Sequence, residues 1–267
     1  EKQAAIVHDW QNKWALEGSC GPRNAGMGYW DELKRHYNAL AREGIAVEFV
    51  DQNADLTGYG LVVVPMLYLL TDAFAKKLCA FAQSGGTVIV TYWSGVVDES
   101  DLCRLGDTPY GLTELLGLRR TEIDGMYDGE TRRCKSVAGC TLPAAQASTL
   151  CEVAALDEKD PAEPLSLYAE DYFAGHPAAA VHRYGKGRAY YLASRFDEAF
   201  YRAFYHDAAK EIGLSPAWPE ALPEGVLAVR RGSFVFVQNC TEQPATVGNT
   251  VLDRYRTAVW KDMDRIF

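Results

Sequence analysis

A chain of 267 residues with 48% hydrophobic side chains can bury a sizeable core in one or two domains. Its net charge of −9 argues against nucleic-acid binding, which wants a basic face, and no stretch approaches the ~18 apolar residues needed to span a bilayer. Cys20, Cys79, Cys103, Cys134, Cys140, Cys151 and Cys240 include no Cys-x-x-Cys, so neither a zinc site nor a disulfide framework is expected, and free thiols in a reducing cytoplasm are. The start at Glu1 suggests an excised piece or a processed terminus.

Residues 4–8 read as a buried strand. Trp30, Leu33, Tyr37, Leu40 and Ala41 recur at helical spacing, and Gly44 supplies the stop. Residues 46–50 form the next strand. The near-continuous apolar run 61–65 is expected of a parallel strand covered on both faces. Thr71 can cap a helix carrying Phe74, Leu78 and Phe81, closed by Gly85-Gly86, and residues 87–91 form a fourth strand. This alternation predicts a doubly wound α/β sheet.

After residue 117 the pattern turns to short runs and turn residues, predicting an antiparallel extension with weak signal over 141–164. Residues 178–184 and 188–193 flank Gly185-Lys186-Gly187 and predict a hairpin. Asp197 can cap a helix bearing Phe200, Phe204, Ala208 and Ile212. The three prolines of residues 215–225 mark a linker between a domain over 1–214 and a small all-β domain over 226–267.

Few residues offer chemistry. Asp98, Glu99 and Asp101 are the densest acidic cluster near a strand end, but neighbouring carboxylates on one loop rarely flank one bond as a glycosidase pair must. A nucleophile elbow after the fourth strand would fall at Tyr92-Trp93-Ser94-Gly95, where bulky Tyr92 replaces the first glycine and no cysteine is present. Gly18-Ser19-Cys20-Gly21-Pro22-Arg23 matches no phosphate-binding fingerprint. No catalytic, cofactor or metal site is therefore expected. Trp10, Trp14, Tyr92 and Trp93 fall just past the carboxyl ends of strands one and four, the rim where open α/β sheets bind ligands and partners. With Asp98 they are the candidates for an interface or an active-site wall, although some could merely roof the sheet.

The ordered set of segments resembles the trimer-forming middle domain of family 42 glycoside hydrolases, mostly bacterial β-galactosidases. It comprises AAIVHDWQNKWALE, YWDELKRHYNALAREGIAVEFVD, LVVVPMLYLL, SGGTVIVTYWSGVVDESD, LTELLGLRRTEID and GKGRAYYLASRFDEAFYRAF. EGVLAVRRGSFVFVQNCTEQP resembles the start of that family's closing β domain. Gly106-Asp107-Thr108-Pro109-Tyr110-Gly111 departs from the family's turn, and residues from Asn249 onward do not match. The resemblance implies a flavodoxin-like, class I amidotransferase-like sheet and a homotrimer. It also implies a parent that hydrolyses terminal β-D-galactosides with retention, through two glutamates of a barrel this chain lacks. Two other readings stay open: a stand-alone amidotransferase-like hydrolase, and a galactoside-binding module.

Overall fold

The structure, a computed structural model, describes residues 3–19, 21 and 26–261. Cys20 and the Pro22-Arg23 part of the glycine-containing loop lie outside the described residues, as do Glu1 and the last six positions.

Strand β1 (Ala4–Val7) is wholly buried and leads at once into helix α1 (Trp10–Gly18), followed by α2 (Tyr29–Arg42) and β2 (Val47–Val50). Strand β3 (Leu61–Val64), helix α3 (Asp72–Gln83) and strand β4 (Thr87–Thr91) come next. The Thr71 hydroxyl accepts from Phe74 N at 3.3 Å, the cap its position predicts. The short α4 (Thr113–Leu116) opens a run of strands: β5 (Leu118–Gly125), β6 (Thr131–Ser136), β7 (Ala145–Leu156), β8 (Glu163–Tyr168), β9 (Pro177–Tyr184), β10 (Gly187–Leu192) and β11 (Ser194–Phe196). Helix α5 (Glu198–Glu211) follows, capped by Asp197 through Phe200 N at 3.1 Å.

These strands form one mixed sheet of eleven. β2, β1, β3, β4 and β10 lie side by side and parallel. The hairpin of β9 and β10, turned at Gly185 with φ +60°, joins them to antiparallel β8, β6, β7 and β11, with β5 paired to β7. The hairpin seen in the sequence is therefore the seam between the two halves.

Besides the four-residue α4, two longer elements are not read from the sequence. Residues 10–18 form α1, where only a rim past the first strand was expected. Residues 145–156, inside the segment of weak signal, form the longest strand of the sheet. β7 pairs along one edge with β6 and then β5 and along the other with β11, and its first half mixes alanines with glutamine, serine and threonine, so it shows no apolar run.

The tail forms a three-stranded antiparallel sheet of β12 (Val226–Arg231), β13 (Phe234–Asn239) and β16 (Thr257–Lys261), beside a two-stranded pair, β14 (Ala245–Val247) and β15 (Thr250–Leu252). It has its own core, in which Val226, Val235, Val237 and Leu252 surround Trp218. Trp218 meets Trp260 edge-on at 5.0 Å. The proline-rich stretch is thus partly packed, and Ala217 N donates to Gly44 O at 2.8 Å. What remains exposed is Ser215 and Pro216, Pro219 to Ala221, and Pro223 with Glu224. A glutamate-specific protease is expected to cut first after Glu220 or Glu224 and to spare Glu152 in β7, as mass spectrometry of early fragments would show. First cuts within 145–156 would contradict the placement of β7.

Candidate functional site

The rim at the carboxyl ends of the parallel strands is built by short side chains that tie loop to loop. Asp9 caps α1 by accepting from Gln11 N (2.9 Å) and Asn12 N (3.3 Å), while its second oxygen accepts from Gln52 Nε2 at 3.2 Å. The fully buried Asn12 donates to Met66 O at 3.1 Å and accepts from Leu69 N at 2.9 Å. With Asn12 and Leu16 facing inward, Trp10 and Trp14 point the opposite way, since residues two apart lie on opposite sides of a helix. They are 54% and 62% exposed.

Trp30, in the first turn of α2, completes the patch at 43% exposure. Its ring centroid lies 5.9 Å from that of Trp10, which is 6.3 Å from Trp14. Beneath them His8 stacks on Trp30 at 4.8 Å and meets Trp10 edge-on at 5.1 Å. Burial lowers the His8 pKa, the adjacent Asp9 opposing and Lys13 assisting. At neutral pH the imidazole is a neutral aromatic member of the patch. Trp10 and Trp14 therefore sit on the surface, and Trp30 and His8 join them. Trp30 was read only as a helix-face residue, although a Trp one position into a helix beside two others was a signal.

Tyr92 and Trp93 do not join them, and here the sequence expectation is corrected. Tyr92 is fully buried, its hydroxyl donating to Glu32 Oε2 at 3.1 Å. Trp93 is only 6% exposed, because Tyr68 stacks on it at 5.6 Å and Gly21 closes on its ring edge. Tyr68, on the loop after β3, roofs Trp93, while Glu32 of α2 and Arg195 enclose the Tyr92 hydroxyl; these are non-local contacts the local sequence does not show.

The turn they occupy does have an elbow's geometry. Trp93 has φ +59° and Gly95 φ +62°, and a Cβ on Gly95 would lie 2.7 Å from Tyr110 N. The strained position, however, carries the tryptophan. Ser94 is buried and its hydroxyl accepts from Leu67 N at 3.0 Å. No nucleophile reaches solvent at this turn, so the elbow chemistry of a hydrolase is excluded there.

Two buried carboxylates clamp this turn from either side. Glu32 accepts from Arg195 Nε at 2.8 Å and from Tyr201 OH at 2.8 Å, and its Oε1 lies 3.3 Å from His36 Nε2. Burial alone would raise its pKa, but His36, Arg195 and Tyr201 outweigh burial and hold it well below the usual carboxylate range. Arg195 also donates to Met27 O at 2.6 Å, fixing the chain just ahead of α2. Glu152 accepts from Trp93 N at 2.9 Å, from Arg120 at 2.7 Å and from the Tyr191 hydroxyl. Neither carboxylate can flank a glycosidic bond, since both are wholly enclosed and ion-paired. Both had a sequence signal, a lone acid within an apolar stripe or run.

Asp98 is half-buried and caps its own loop, accepting from Leu102 N (3.1 Å) and Ser100 N (2.8 Å), which lowers its pKa and keeps it ionised. Glu99 lies 3.5 Å from Arg104, and Asp101 sits at φ +60°. The acidic cluster is thus a folded turn. Among the described residues no group of three or more His, Cys, Asp or Glu side chains is arranged to hold a metal, and no helix is long and apolar enough to cross a membrane.

Comparison with known proteins gives this rim a context. Residues 2–215 match the sequence profile of the β-galactosidase trimerisation domain. The chain belongs to the β-galactosidase trimerisation-domain family. It is 44% identical over 251 residues to β-galactosidase BglY of Alicyclobacillus acidocaldarius, covering 91% of this chain and 36% of that protein. A crystal structure of a β-galactosidase from Rahnella sp. R3 superposes with a TM-score of 0.91 at 39% identity, over 97% of this chain and 40% of that one. One from Bacillus circulans sp. alkalophilus gives 0.86 at 28% identity, with 97% and 40% covered. The chain thus spans well under half the length of these relatives. A trimerisation domain serves oligomerisation of the intact enzyme, and the mixed α/β sheet with small antiparallel sheets is the fold of that part of the solved relatives.

Proposed function

We propose that this chain holds three copies of a β-galactosidase together and takes no part in bond cleavage. The parent hydrolyses terminal β-D-galactosides with retention, through two glutamates of a barrel outside this chain. The single observation that carries this reading is the trimerisation-domain match over residues 2–215. The rim agrees with it: the elbow is roofed and an exposed tryptophan face stands beside it. The acidic charge fits a cytoplasmic protein with no nucleic-acid partner.

The finer fold reading is a doubly wound, flavodoxin-like sheet, as in class I amidotransferases. Its support is the parallel order β2-β1-β3-β4-β10, which repeats the flavodoxin order with β10 in the fifth place. The domain division is 1–214, a linker over 215–225 and a β domain over 226–267, supported by the two separate cores. The interface residues are Trp10 and Trp14, with Asp98 on the neighbouring loop.

Sedimentation of the purified chain tests assembly, and a chromogenic galactoside tests catalysis. A trimer without turnover is expected. Turnover that survives repurification and is lost on Asp98→Asn or Glu99→Gln would overturn the non-catalytic reading. Exposed tryptophans also suit sugar faces, so titration with galactose, followed by tryptophan fluorescence, is the check on the galactoside-binding alternative. No change in fluorescence is expected.

A further inference from the structure

We propose that copies of this chain meet through two unlike patches of the same rim: the tryptophan face of one copy receives the leucine-tipped loop of the next. The proposal rests on the assembly reading above and names the surfaces that carry it.

The first patch is Trp10, Trp14 and Trp30, linked ring to ring through Trp10, with Trp10 and Trp14 turned outward by the inward hydrogen bonds of Asn12. The second is the loop after the elbow, where Leu102 is 64% and Leu105 91% exposed. An exposed leucine on a loose loop needs no explanation. This loop is not loosely tied. Asp98 N donates to Leu102 O at 2.9 Å, and Arg104 N to Val96 O at 2.9 Å. The Arg104 guanidinium reaches Asp72 at 2.8 Å and lies 4.4 Å over the Tyr110 ring. The frame is fastened down while its two leucines face solvent, which is how a surface pre-organised for a partner is built.

A closed ring of three requires that a patch on one copy meet a different patch on the next. The tryptophan face follows β1 and the loop follows β4, so both lie at the same end of the sheet, separated only by β3. That places two unlike apolar patches side by side on one rim.

The test uses two surface variants, Trp14→Lys and Leu105→Lys, each checked for an unchanged circular-dichroism melt. Sedimentation is run on each alone and on an equimolar mixture. The wild type is expected as a trimer, and each variant alone as a monomer at concentrations where the wild type is assembled. The mixture is expected to form dimers, because one variant keeps an intact face and the other an intact loop, which restores a single contact. Either variant still forming trimers, or a mixture that stays monomeric while the wild type assembles, overturns the pairing and leaves the assembly reading intact. Loss of assembly with Trp14→Lys alone would mean that tryptophan faces meet each other, which also overturns it. A wild type that is monomeric at every concentration overturns the assembly reading, and this pairing falls with it.

Discussion

Glu32→Ala is expected to destabilise the domain by about 3–5 kcal/mol, a large share of the ~5–15 kcal/mol that holds an ordinary domain folded. The reason is what remains behind. Arg195, largely buried, would keep its charge and its bonds to Met27 O and Gly28 O but lose its carboxylate. The hydroxyls of Tyr92 and Tyr201 would lose their acceptor in the same cavity. Urea unfolding followed by circular dichroism measures the loss, and Glu32→Gln, which keeps an acceptor, is expected to lose less. The pH dependence follows with a definite sign. The folded pKa of Glu32 lies below its ordinary 4.5, at about 2. Its ionisation therefore stabilises fully above pH 4.5, and the contribution is lost as pH falls toward 2. Wild-type stability should drop across that window more steeply than that of Glu32→Gln. Parallel curves for the two proteins would show that Glu32 is not held ionised by its partners.

The second large effect is expected at Gly187, where β10 begins. A Cβ there would stand 2.1 Å from Gly86 O and 2.5 Å from Ala82 O. Both are backbone atoms at the end of α3, which cannot swing aside as a side chain would. Lys186 N and Arg188 N also donate to Gln83 O and Gly86 O, so the hairpin and the helix end are tied together on either side of the clash. Gly187→Ala is expected to cost about 3 kcal/mol, the upper range for overpacking a tight site. Gly232→Ala is the control. Gly232 sits at φ +58° with open space around it, and backbone strain alone should cost about 1 kcal/mol. Equal melting temperatures for the two variants would contradict the close approach at Gly187.

These two sites show what the sequence did and did not disclose. Gly185-Lys186-Gly187 was legible as a hairpin turn, but not as a docking point for α3, because the atoms that demand a glycine lie a hundred residues away in the chain. β3 and β4 were legible because both their faces are covered, which leaves an unbroken apolar run. Helix α1 was not, because its pattern is inverted: the polar Asn12 faces inward and two tryptophans face solvent. Strand β7 was hidden by its small residues. At the rim, the end of β1 marks where Trp10 and Trp14 lie, but their outward direction is set by α1 and the inward Asn12. The burial of Trp93 depends on Tyr68 stacking over it, and that of Tyr92 on Glu32 and Arg195 closing around its hydroxyl, which no local rule supplies.

The inward anchoring of α1 bears on the thermodynamics of association. Two side-chain hydrogen bonds from Asn12 and the Asp9 cap already fix the helix backbone. Trp10 and Trp30 already rest on each other and on His8. Each indole has only two rotatable bonds, and here much of that freedom is gone before a second molecule arrives. A partner that lands on this face therefore finds little left to freeze, and most of the water it displaces is released from aromatic surface. The expected calorimetric mark of such a contact is a negative heat-capacity change with little accompanying change in backbone order.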